Sequence, residues 1–139
     1  MRDTDGQPAI RVLMMPRDTN GNGTIFGGVL LSYIDQAGAI EACRLTLNKV
    51  VTVAIEKVEF LKPVFVGDVV SFCTSVERVG KTSITVRVSV SATRLNAQQT
   101  SVVDVTEAVV VYVAIGPDGR PVPLKQADTL KADSGPVTP

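Results

Sequence analysis

The candidate chemistry of this chain rests on one carboxylate, a pair of glycines and the lack of any histidine. Between Met15 and Asp35 runs MPRDTNGNGTIFGGVLLSYID. Gly27 and Gly28 stand where a helix must begin, although Gly is a poor helix former. Asp35 stands where the apolar pattern calls for Leu or Ala. Such local rule-breaking marks functional sites. With no His among 139 residues, Ser-His-Asp and Cys-His nucleophiles and His-ligated metals are excluded. A carboxylate is then the candidate base.

Each feature carries a plainer alternative. Gly27 and Gly28 put backbone N–H groups at the positive end of a helix with no side chain to block approach, an arrangement suited to a carbonyl oxygen gaining charge. The same glycines also allow a helix start to pack closely on a sheet. Asp35 shares its helix face with Leu31, Ala39 and Ala42, with Gly38 beside it. It is either a general base among small apolar neighbours or a partner for Lys or Arg at the polar edge near Ser32. A base and an oxyanion site without a dedicated acid suit thioester hydrolysis, because a thiol leaves as thiolate at a pKa of roughly 8–9.

Two other motifs fail. Asp18 to Gly23 matches the first half of a calcium loop, but its twelfth position is Val29 instead of the bidentate Glu. Gly23, Gly27 and Gly28 lack the spacing of a dinucleotide or phosphate loop. Cys43 and Cys73 have no metal-type spacing and read as small reduced core residues. No metal site is expected. Net charge is zero, which removes bulk attraction to nucleic acid or an anionic membrane. No apolar run reaches membrane-spanning length, and no segment resembles a signal peptide, so a cytoplasmic location is expected.

The elements that must position these residues follow from periodicity. Ala9–Met15 reads as a strand, and about 27–47 as a helix apolar over most of its circumference, hence surrounded by protein. A strand over 50–61 changes phase near Glu56–Lys57, which predicts a bulge there. Val70 to Glu77, Ile84 to Thr93 and Val102 to Ile115 alternate as strands, separated by Gly80 and other turn residues. Short links predict an antiparallel meander. The expected class is α+β, a strongly curved antiparallel sheet wrapped around one long buried helix. One domain over 9–124 lies between a flexible start, 1–8, and a flexible tail, 125–139. The sheet's second face still carries Val and Thr, so self-association is expected.

MPRDTNGNGTIFGGVLLSYIDQAGAI, with VVTVAIEKVEFLKPVFVGDVV after it, resembles the hotdog-fold acyl-CoA thioester hydrolases from about Ile10 to Leu124. The nearest group is the small bacterial enzymes related to the brown-fat and brain acyl-CoA hydrolases. The resemblance implies Asp35 as base or nucleophile, Asn20 as the group orienting water or substrate, and the Gly27–Gly28 backbone as oxyanion site. Phe26 stands where some hotdog relatives carry His, which argues against a hydratase or lyase. A non-catalytic acyl-CoA sensor is the alternative from another class.

The resemblance further implies sites shared across a dimer, Asn20 from one subunit and Asp35 from the other, and assembly into hexamers as trimers of dimers. It implies no cofactor beyond the coenzyme A of the substrate. For the phosphates and pantetheine arm of that substrate, Gly80, Lys81, Thr82 and Ser83 are the first candidates. Lys57, Lys62, Arg87 and Arg120 follow. Tyr33 is a candidate limit on acyl length.

Overall fold

A computed structural model describes residues 7–96 and 98–127. Among the described residues are five strands, one α-helix and a short 3-10 turn at Pro16–Asp18: β1 (Ile10–Leu13), α1 (Gly27–Cys43), β2 (Lys49–Glu56), β3 (Val69–Val79), β4 (Ser83–Leu95) and β5 (Thr100–Ile115). All pairings are antiparallel, in the order β1-β3-β4-β5-β2.

Only β3, β4 and β5 therefore form the expected meander. β2 is not beside β3; it crosses to the far side of β5, and β1 closes the other edge. Residues 57–68 supply the length for that crossing. The strand expected over 50–61 ends at Glu56, because Lys57 takes a left-handed backbone (φ 56°) that breaks the ladder. The phase change has its origin earlier, in a register shift between Thr52 and Ala54 opposite β5. Further shifts fall at Val76/Arg78 and Val90/Ser91. Bulges sharpen local twist, and three of them curl this sheet round the helix.

The alternation of β4 turns Ile84, Val86, Val88, Val90 and Ala92 inward, and all are buried. β5 adds Ala108, Val110, Tyr112 and Ala114 to the same layer. Against it α1 presents Leu30, Ile34, Ala37, Gly38 and Ala42, spaced as one helical stripe. Each large aliphatic side chain buried here contributes about 1.5–3 kcal/mol.

Two expectations about the helix are corrected. It ends at Cys43, not near Leu47, and the N–H of Arg44 closes back onto Ala42 and Glu41. Nor is it covered all round: Ser32, Gln36 and Ile40 are exposed in the single chain. The thiols also divide, Cys73 buried and Cys43 exposed on the last turn of α1. The chain stays paired past Leu124. Leu47 N–H donates to Lys125 O (2.8 Å), and Ala127 N–H to Leu45 O (3.0 Å). The expected free tail therefore does not begin at Lys125; its remainder, 128–139, and residues 1–6 lie outside the described residues.

Candidate active site

Asp35 lies half-buried in the middle of α1, where the helix crosses β5 and β2. The sheet register puts Thr52 of β2 opposite Tyr112 of β5, and both side chains reach the carboxylate. Thr52 Oγ1 donates to Asp35 Oδ1 at 2.6 Å. The Tyr112 phenol donates to the Asp35 carbonyl oxygen at 2.7 Å and reaches Oδ1 at 3.3 Å. The partners of Asp35 are thus two hydroxyls, not the Lys or Arg of the plainer alternative. Both converge on Oδ1, and among the described residues no group donates to Oδ2.

Tyr112 is only 1% exposed. Burial, and after it the charge and hydrogen bond of Asp35, push its pKa far above the ordinary tyrosine value. The phenol consequently remains a donor at any working pH. Its seat exists because residue 38 is Gly: a Cβ there would fall 2.2 Å from the phenol oxygen.

The glycine pair divides its two expected roles. A Cβ on Gly27 would meet the Phe60 ring at 3.2 Å, so Gly27 serves close packing. Gly28 has nothing within 4 Å of its would-be Cβ and is exposed. Phe26, the N-cap, makes no side-chain cap. The first N–H groups of a helix have no intrahelical acceptor, which leaves the Gly28 N–H without one at the positive end of α1.

The loop before α1 is built around Asn20. Its Oδ1 accepts from the N–H of Asn22 (2.7 Å), its Nδ2 donates to Thr24 Oγ1 (2.8 Å), and its N–H donates to Thr24 O (2.8 Å). Phe26 N–H donates to Asp18 O at 3.0 Å and Ile25 N–H to Val64 O at 2.8 Å, which fixes the direction in which α1 sets out. One amide hydrogen of Asn20 is left for another acceptor. Within a single chain Asn20 and Asp35 share no hydrogen-bond partner among the described residues.

The cationic candidates are spread along β5 and form no single cluster. The Gly80–Ser83 turn is tied to the end of β5 through Ala114 N–H to Thr82 O (2.8 Å) and to the following segment through Leu124 N–H to Lys81 O (2.9 Å). Arg120, in the next turn, lies at the same end. The Gly80 N–H is spent on Ser83 O (2.8 Å), so the turn offers side chains more than N–H groups.

Lys62 borders a cleft of about 330 Å³ that includes Gly27, Leu30 and Phe60. Lys57 lines a separate cleft of about 510 Å³ among Glu59, Asp104 and Glu107, carboxylates that disfavour a phosphate. Arg87 is held on the outer face of the sheet between Glu77 and Glu107, so its guanidinium is already engaged. Tyr33 leans on Phe72, ring centroids 5.6 Å apart.

Sequence reasoning missed Thr52 and Tyr112. Their only signal was a hydroxyl inside Val-Thr-Val and one aromatic inside Val-Val-Val-Tyr-Val. Among the described residues no group of three or more Cys, Asp or Glu could hold a metal, and no helix is long and apolar enough to cross a membrane.

One long helix clasped by a curled five-stranded antiparallel sheet is the hotdog fold, and residues 22–95 match the Thioesterase superfamily. The chain belongs to that family. It is similar to the acyl-CoA thioester hydrolase YciA of Salmonella typhimurium, with 43% identity over 120 residues, covering 86% of this chain and 90% of the relative. Among solved structures it is similar to Cj0915, a hexameric hotdog-fold thioesterase of Campylobacter jejuni. That match has 45% identity and a TM-score of 0.82, and covers 94% of this chain and 97% of the other. It is also similar to HI0827, a hexameric broad-specificity acyl-coenzyme A thioesterase, at 36% identity and TM-score 0.82, covering 96% and 90% of the two chains.

Proposed function

We propose that this protein hydrolyses acyl-CoA thioesters to the free acid and coenzyme A by carboxylate-assisted attack of water. The observation that carries the reading is the state of Asp35: Oδ1 is held by two hydroxyls and Oδ2 is left as the acceptor. Oδ2 takes a proton from water as the water oxygen bonds to the thioester carbon. The carbonyl oxygen gains the charge, and the open N–H of Gly28 meets it at the positive end of α1. Collapse breaks the C–S bond, and the departing thiolate takes the proton from Asp35. No general acid beyond Asp35 is required, because thiolate is a good leaving group, and no cofactor enters the step.

Asn20 orients the water or the thioester carbonyl with its remaining amide hydrogen. We assign it to a site completed by a second copy, Asn20 from one chain and Asp35 from the other, because the two share no hydrogen-bond partner within one chain among the described residues. The apolar side chains of β2 support this assembly: Val51, Val53 and Ile55 are exposed on an edge strand that lacks a neighbour on one side. A trimer of such dimers accords with the hexamers of the similar structures. Lys62, Lys81 and Arg120 are the cations left to meet the phosphates of coenzyme A, with Thr82 and Ser83 beside Lys81. A hydrolase of acyl-CoA thioesters would act in the cytoplasm.

Release of free thiol from a panel of acyl-CoAs, short to long, tests the reading. Rapid release from any member is expected. No release from any of them, with binding confirmed, would overturn hydrolysis in favour of an acyl-CoA sensor.

A further inference from the structure

We infer that Tyr112 is a positioning residue for the reaction: one phenol clamps both the main chain and the side chain of Asp35, and so selects Oδ2 as the reacting oxygen. The inference rests on the thioesterase reading above and deepens it.

The phenol oxygen lies 2.7 Å from the Asp35 carbonyl oxygen and 3.3 Å from Oδ1 of the same residue. A single donor that touches both atoms fixes the side-chain rotamer relative to the helix, and the carboxylate cannot swing without losing it. Thr52 Oγ1 adds a second donor to the same oxygen at 2.6 Å, which holds the carboxylate plane. An unclamped Asp would exchange its two oxygens, and a base misplaced by about 1 Å can cost about 100-fold in rate.

The clamp is built into the packing. Tyr112 stands in the inward row of β5 between Val110 and Ala114, and its oxygen occupies the notch left by Gly38, one turn beyond Asp35. Around this pair α1 contributes the titratable groups Asp35 and Cys43, β5 contributes Tyr112 itself, and β2 contributes the neutral Thr52. The inward neighbours on β4 are Ile84 and Val86. Glu41, farther along α1, is engaged by Thr74 of β3 and by Arg44. The phenol keeps its proton because burial and the Asp35 carboxylate both oppose its loss.

The test pairs Tyr112→Phe with Val110→Ala, a cavity in the same strand that removes no bond to Asp35. Two readouts are taken: kcat and KM for thiol release from acyl-CoA, and the ¹³C chemical shift of the Asp35 carboxyl at one fixed pH in protein carrying ¹³C-labelled Asp. Tyr112→Phe is expected to lower kcat about 10- to 100-fold with little change in KM. It should also displace the Asp35 carboxyl signal, because a hydrogen bond to Oδ1 is lost. Val110→Ala should lower stability without moving either. An active parent whose Tyr112→Phe variant keeps the same kcat and the same carboxyl signal would overturn the inference and leave the thioesterase reading standing. A parent without turnover, with its Asp35 carboxyl signal still displaced by Tyr112→Phe, would overturn the reading and with it any catalytic meaning of the clamp.

Discussion

Substituting Gly38 by Ala probes the notch on which the Asp35 clamp depends. The added methyl would lie 2.2 Å from the Tyr112 phenol oxygen and 3.0 and 3.1 Å from two ring carbons. Tyr112 is 1% exposed, so protein encloses its ring on every side. The phenol is driven off Asp35, and the packing of α1 on the sheet is strained around it. Overpacking of this kind costs about 1–3 kcal/mol. A buried hydroxyl that loses its acceptor costs about 1–3 kcal/mol more. Ala in place of Gly inside a helix returns about 1 kcal/mol. The net expectation is a loss of about 3 kcal/mol, read by urea unfolding at fixed protein concentration as a lower midpoint with an unchanged slope. A variant as stable as its parent, or more stable, would refute the seating of Tyr112 against Gly38.

Other substitutions test separate parts of the fold. Arg94 bonds both oxygens of Asp68 (3.1 and 3.2 Å) and also Pro63 O (3.0 Å), with the Asp68 side chain only 3% exposed. Arg94→Met should cost about 2 kcal/mol in the same urea assay, discounted for a guanidinium that is 34% exposed; no change would deny this clasp any role in holding residues 63–68 to β4. The Tyr112 proton makes stability sensitive to alkali. An unfolded chain releases it near pH 10.0, whereas the folded chain, with its pKa raised by burial and then by Asp35, does not. Stability is therefore complete below about pH 10 and falls as pH rises beyond it, and Tyr112→Phe should flatten that fall; equal slopes would contradict the buried, protonated phenol. Mixing inactive Asn20→Ala and Asp35→Ala chains under proven subunit exchange should restore part of the activity, and no recovery would count against shared sites.

Much of this architecture is legible in the sequence because burial follows period. The alternation from Ile84 to Ala92 maps directly onto the inward row of β4, and Gly27 begins α1 as expected. Strand order is less legible. The alternation of β2 is satisfied by any neighbour, so nothing in Val50 to Ile55 reveals that it passes β3 and β4 to pair with β5. The phase change in that stretch is visible, yet it combines two events, a register shift after Thr52 and a left-handed Lys57 that ends the strand.

Asp35 stands out as an acid within an apolar helix, whereas Thr52 and Tyr112 look like ordinary strand residues. They become partners of Asp35 only through the β2–β5 register and the angle at which α1 crosses both strands. Gly38 is similar: its necessity lies in Tyr112, 74 positions away in sequence, whose oxygen fills the space of the missing Cβ.

The central claim, that the Asp35 carboxylate is the base for thioester hydrolysis, is tested most directly by kcat for thiol release in Asp35→Asn, with the best acyl-CoA of the panel. Asn keeps the size of the side chain and removes the base. The account predicts a fall in kcat of about 100- to 10,000-fold with KM changed only slightly. A variant that hydrolyses as fast as its parent would contradict it.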